Sequence, residues 1–92
     1  MHTRYRPARD ALFATLSDGA VVLDIQTKKY FSLNDTGARV WALIREGLSV
    51  EEIISMLLDE YDVSRTAACE AVTSLVESLA AENLIEPDGV GS

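Results

Sequence analysis

The hydrophobic period of this chain changes once, at Asn34, from about two residues to about 3.6. Before that point lie three short apolar runs, and after it three amphipathic stretches long enough for helices. Such a chain folds as a small antiparallel sheet followed by helices, because each half has one unburied face that the other can cover. The first two runs, residues 11–16 (ALFATL) and 20–25 (AVVLDI), flank Ser17-Asp18-Gly19. Asp-Gly between apolar runs is a strong hairpin signal, since the turn needs positive φ and glycine supplies it cheaply. In the second run Val21, Leu23 and Ile25 share one face and Asp24 takes the other. The third run, Lys29 to Leu33, follows Gln26-Thr27-Lys28. In it Phe31 and Leu33 share a face, with Tyr30 and Ser32 opposite. The spacing predicts a three-stranded meander whose first and third strands are edges.

The helical half carries its own punctuation. Asn34 is an N-cap and Asp35 an acidic first-turn residue, where the helix dipole favours an anion. Ala38, Trp41, Ala42 and Ile44 form an apolar stripe that Gly47 ends. Ser49-Val50-Glu51-Glu52 reads as a capping box, with Leu48 and Ile53 placed as a hydrophobic staple. This second helix runs to about Glu60. Ser64 then caps a third helix through about Asn83, apolar at Ala68, Ala71, Val72, Leu75, Val76, Leu79 and Ala80. That face is wider than two short helices and three strands need. Residues 1–10, with three arginines and a proline, read as an extended basic arm. Residues 11–86 form one domain, and residues 87–92 a disordered tail.

Charge and composition exclude several functions. The 92 residues carry a net charge of −7. Up to Arg45 there are seven basic and four acidic side chains; beyond it only Arg65 opposes eleven acidic ones. Nucleic-acid affinity rests on cations neutralising phosphates, so DNA or RNA is not the expected partner. His2 is the only histidine, so no His-based acid–base pair is available. Cys69 is the only cysteine, which removes an internal disulfide and leaves no zinc-ligand spacing. Gly19, Gly37 and Gly47 stand alone and make no phosphate loop. No run approaches the roughly 18 apolar residues of a membrane span. The expectation is a cytoplasmic protein that is not an enzyme and holds no cofactor or metal.

A binding surface is available at the third strand. An edge exposes unpaired N–H and C=O groups, which either need protection or receive another strand. Lys28 and Lys29 flank this one. They serve as guards against aggregation, or they border a site where a peptide adds beside Lys29, Tyr30, Phe31, Ser32 and Leu33. In the second case the peptide lies against the surplus face of the last helix, at Val72, Leu75, Val76 and Leu79, of which the core must claim some.

The residues also carry a resemblance. An aromatic strand (Tyr30-Phe31-Ser32-Leu33) leads into Asn34-Asp35-Thr36-Gly37-Ala38, with Trp41 three residues on. Then come Gly47, the helix start Ser49-Val50-Glu51-Glu52-Ile53, and Tyr61-Asp62-Val63. In this order the pattern resembles the PqqD-like family over nearly the whole chain beyond the arm. The resemblance implies an α+β, winged-helix-like domain of three strands and three helices that serves as a recognition element for ribosomally made, post-translationally modified peptides. In that family the leader segment of a precursor peptide pairs with the third strand and lies against the third helix. The namesake branch, in pyrroloquinoline quinone biosynthesis, carries "PE(R/K)" between its second and third strands. Here Gln26-Thr27-Lys28-Lys29 stands there, and a short stand-alone chain is more similar to the leader-binding proteins of lasso-peptide biosynthesis. The partners so implied are the precursor leader, a cysteine protease that removes it and an ATP-dependent cyclase. A DNA-binding winged helix and a dimerisation module pairing through its third strand are the rival readings.

Overall fold

Asn34, Ser49 and Ser64 set the helix starts through bonds that reach only three residues along the chain. The computed structural model describes residues 4–88. The order is β1 (Arg4–Pro7), β2 (Ala11–Leu16), β3 (Gly19–Asp24), β4 (Tyr30–Leu33), α1 (Asp35–Arg45), α2 (Val50–Glu60), α3 (Arg65–Ala81) and β5 (Ile85–Asp88). Strands β2, β3 and β4 form one antiparallel sheet in that order, the expected meander, and the three expected helices follow it. Leu16 stands opposite Gly19, so Ser17 and Asp18 make a two-residue turn. Gly19 has φ +136°, and a Cβ there would strike the Leu33 carbonyl oxygen on β4. Glycine alone lets the strands close at this corner.

The face of β3 turned to the helices is Ala20 and Val22, both buried. Opposite Val22 stands Phe13, whose ring stacks on Trp41 of α1 at 6.2 Å between centroids and 9° between planes. That stack fixes which side is inside. Val21 and Leu23, the larger apolar pair on this strand, therefore point away from the helices, together with Leu12, Leu16 and Tyr30. This outer face stays open: Leu12 is 54%, Leu16 53% and Tyr30 68% exposed.

Each helix begins at the polar residue expected. The Asn34 side chain accepts from the Gly37 N–H at 2.8 Å. Ser49 and Glu52 exchange bonds reciprocally, 3.2 and 2.7 Å. The Ser64 hydroxyl accepts from the Ala67 N–H at 3.1 Å. Helix α3 ends at Ala81, slightly short of the expected Asn83. Asn83 adopts the left-handed conformation at φ 60°. Its N–H bonds the Ala80 carbonyl and that of Leu84 reaches Leu79, the paired bonds that close a helix before a left-handed residue. The turn drops Leu84 and Ile85 into the core and starts β5.

Strand β5 pairs with β1, Arg4 opposite Asp88 and Pro7 opposite Ile85. Arg4–Pro7 of the expected extended arm thus form a strand, and Pro87-Asp88, expected in the disordered tail, belong to β5. The two segments hold each other by a ladder and by Arg6, which pairs with Glu86 at 2.9 Å and Asp88 at 3.3 Å. Arg4 donates to the Gly47 carbonyl and lies 3.5 Å from Glu52, tying the ribbon to the α1–α2 turn. His2 and the end of the tail, residues 89–92, lie outside the described residues. The core is Val22 and Leu33 from the sheet, Val40, Trp41, Leu43 and Ile44 from α1, Ile53, Ile54 and Leu57 from α2, and Ala68, Val72, Val76 and Leu79 from α3. Among the described residues no helix is long and apolar enough to cross a membrane.

Helices α1 and α2 are also joined by a two-point ion pair, Arg39 to Glu60 at 2.9 and 2.6 Å. The Arg39 hydrogen bond holds the Glu60 carboxyl below the usual carboxylate range. A carboxyl whose folded pKa is depressed contributes stability above its unfolded pKa and loses it as the pH falls through the folded value. Glu60→Gln should therefore lower the melting temperature at neutral pH, and the difference from wild type should close in acid. Thermal melts stepped down from neutral pH through the acid range check this; a gap that does not narrow as the pH falls means the pair is not its source.

Candidate functional site

The β3–β4 connection is fastened before the site begins. The Asp24 carboxylate accepts from the Gln26 N–H at 2.9 Å, and its backbone carbonyl accepts from Lys28 at 2.8 Å. Lys28 sits at φ 66°, which turns the chain back into β4. The Asp24 N–H then bonds the Lys29 carbonyl at 2.9 Å. In an antiparallel ladder bonded and non-bonded pairs alternate. With Val22 opposite Phe31 and Ala20 opposite Leu33, residues 29, 31 and 33 bond inward to β3. The backbone N–H and C=O groups of Tyr30 and Ser32 therefore point outward at the open edge of the sheet.

That edge forms one bank of a groove of about 560 Å³. Ser32 and Leu33 line it on the sheet side, and Asn34, Thr36 and Gly37 continue it along the start of α1. Val40 and Leu57 close the bottom. Tyr61 and Val63 stand at one end, on the α2–α3 connection. The far bank is α3, which presents Ala67, Ala68, Ala71, Ser74, Leu75 and Ser78. Ala67, Ala71, Ser74 and Ser78 are spaced by four, three and four residues, one stripe of a helix. Their small side chains keep the helix from filling the space beside β4. None of the lining residues carries a charge. The geometry offers a strand-wide slot with backbone donors and acceptors on one side and an apolar, hydroxyl-dotted wall on the other.

The residues expected at this site are partly reassigned. Ser32, Leu33 and Leu75 line the groove. Lys28 and Lys29 lie exposed at the turn leading into β4, with no ion-pair partner among the described residues. Tyr30 points to the outer sheet face, and Phe31 packs half-buried against the core. Val72, Val76 and Leu79 are in the core, at 0%, 5% and 0% exposure, and wall nothing accessible. A helix turns its largest apolar side chains inward first, so the wall left for the groove is the adjacent stripe of alanines and serines. The spacing of these small residues, rather than hydrophobicity, is what marks the wall in the sequence, and Leu75 is the only large α3 side chain among the groove-lining residues. Cys69 is a free, half-buried thiol. Among the described residues no group of three or more His, Cys, Asp or Glu side chains could hold a metal ion.

Comparisons bear on what occupies such a slot. The family model for coenzyme PQQ synthesis protein D (PqqD) matches residues 19–85. One solved structure, described as TbiB1 in complex with the TbiA(beta) leader peptide, is 31% identical with a TM-score of 0.80, over 91% of this chain and 95% of that one. Another, a lasso peptide synthetase B1 complexed with the leader peptide, is 31% identical with a TM-score of 0.83, over 91% of this chain and 99% of that one. No curated protein sequence matches.

Proposed function

The chain belongs to the PqqD family, and from that premise we propose that it is a leader-binding recognition element of lasso-peptide biosynthesis. It takes the leader segment of a ribosomally made precursor as a fourth strand on β4. The observation that carries this reading is the open Tyr30–Ser32 backbone edge facing an uncharged groove on α3. It occurs in a chain that shares fold and 31% identity with two proteins solved with leader peptides bound. Main-chain bonds to β4 supply affinity, and the groove between β4 and α3 selects the side chains that alternate toward it. The role is delivery without catalysis: the held peptide is presented to a separate cysteine protease that removes the leader and to an ATP-dependent cyclase. A DNA-binding role finds no support at the groove, because its lining is uncharged and the helix beside it carries Glu70 and Glu77.

The test is binding of a labelled synthetic leader peptide, followed by fluorescence polarisation. We expect a dissociation constant in the micromolar-to-nanomolar range, about 8 to 12 kcal/mol. No saturable binding of the cognate leader would reject the reading.

Charge should govern rate rather than hold. The groove lining is uncharged, and the cations on the turn that leads into the open β4 edge are Lys28 and Lys29. Exposed pairs contribute only about 0.2–1 kcal/mol each, while steering of an acidic segment acts on association. Lys28→Glu with Lys29→Glu should slow association several-fold and flatten its salt dependence, with a smaller change in the off-rate. Stopped-flow binding at two ionic strengths measures this. An unchanged on-rate at low salt would make the lysines edge guards only.

A further inference from the structure

A helix C-terminus favours cations, because its last carbonyls carry the negative end of the dipole. Helix α1 follows this rule, with Arg45 in its last turn. Helix α2 does the reverse: it ends in Asp59 and Glu60 and has no basic residue in its last turn. No glycine stops it either, since Tyr61 leaves the helix extended, at φ −125° and ψ 152°. The final turn is held by the Tyr61 N–H on the Leu57 carbonyl, 2.8 Å, and by Arg39 of α1, which binds Glu60 at two points. A local arrangement that costs stability is retained where it serves another end.

The groove shows what that end is. Past Leu33 the chain turns into α1 and the β4 edge stops, so a peptide strand paired at Ser32 and continuing along the groove finds no further backbone partner there. Tyr61 and Val63 line the groove and are 37% and 46% exposed. Arg39 stands between Gly37 and Val40, both groove residues, so its bond to Glu60 sets the adjoining Tyr61 beside the first turns of α1. The Arg39 guanidinium is raised above its usual pKa chiefly by the hydrogen bond to Glu60, and Glu46 and Tyr61 add to the shift, which places Tyr61 near the same cation. A two-point arginine–carboxylate bond fixes orientation as well as distance, while its yield in stability at a partly exposed site is small. Orientation of the last turn of α2 is therefore its main contribution.

Resting on the leader-binding reading above, we propose that Arg39 and Glu60 are positioning residues for leader recognition: their ion pair holds Tyr61 as an end wall of the groove, against which an apolar side chain of the leader packs beyond the strand-paired segment. Tyr61 touches the leader; Arg39 and Glu60 act only through it.

The experiment is a double-mutant cycle read by fluorescence polarisation of the labelled synthetic leader peptide, with a thermal melt on each sample. Tyr61→Ala should raise the dissociation constant about tenfold or more. Glu60→Gln should raise it about fivefold, and Arg39→Gln should match that. Because the pair acts through the ring, Glu60→Gln should change affinity by less than about twofold once Tyr61 is alanine, although it lowers the melting temperature in both backgrounds. A pair that only stabilises the fold would move the melting temperature and leave the affinity of the folded protein unchanged, or weaken binding equally with and without the ring. Either result overturns the proposal, as does wild-type affinity in Tyr61→Ala. Tyr61→Leu, which shortens the wall but keeps an apolar side chain, takes the place of the alanine variant should that one melt below the assay temperature. A wild-type chain that binds no leader rejects the underlying reading and the clamp with it; a wild type that binds, with no coupling in the cycle, rejects the clamp alone.

Discussion

Ala71→Trp is expected to abolish leader binding while the protein stays folded. Ala71 is an exposed position in the middle of α3, and it lines the groove opposite the β4 edge. An indole there occupies the width a peptide strand needs. The cost to the helix is small, at most about 0.7 kcal/mol in propensity, and contact with the apolar lining offsets part of it. Leader affinity should fall by at least 100-fold, about 2.8 kcal/mol, by fluorescence polarisation. Val76→Asp provides the contrast one and a half turns along. Val76 is in the core, so an uncompensated carboxylate there should unfold the domain outright, and its loss of binding would say nothing about the groove. Wild-type affinity in a folded Ala71→Trp variant would place the leader elsewhere.

That contrast was only half legible in the sequence. Local signals read true: the caps at Asn34, Ser49 and Ser64 are each settled by a bond to the third residue on, so tertiary context had little to override. The surplus width of α3 was also visible, but its largest side chains drew attention to Val72, Val76 and Leu79, which any core takes first. The groove wall is instead made of residues whose merit is being small, and smallness carries no hydrophobic signal. The inner face of β3 was hidden for a related reason. Both faces of the strand are apolar, so periodicity could not choose between Val22 and the pair Val21 and Leu23; the Phe13–Trp41 stack, between residues 28 apart in sequence, decided it. Pairing of β1 with β5 had no local signal at all. Arg6 meets Glu86 across 80 residues, and four-residue strands are too short to announce themselves.

Ser32→Pro tests the edge itself. Proline removes a backbone donor and places its ring where that N–H pointed. The ladder alternation aims the Ser32 N–H away from β3, so the substitution should leave the β3–β4 pairing intact, as edge strands allow. The residue before it, Phe31, is already extended and meets no new restriction. An incoming strand, however, loses one hydrogen bond, worth about 0.5–1.5 kcal/mol, and must also move aside for the ring. We expect leader affinity to drop at least 30-fold, about 2 kcal/mol, with the melting temperature close to wild type. Phe31→Pro makes the opposite pattern: its N–H bonds inward toward Val22, so that variant should lose stability first. Binding is measured by fluorescence polarisation and folding by circular dichroism on the same samples. Should Ser32→Pro stay folded and bind as tightly as wild type, the leader does not add as a strand at β4, whatever else the groove holds.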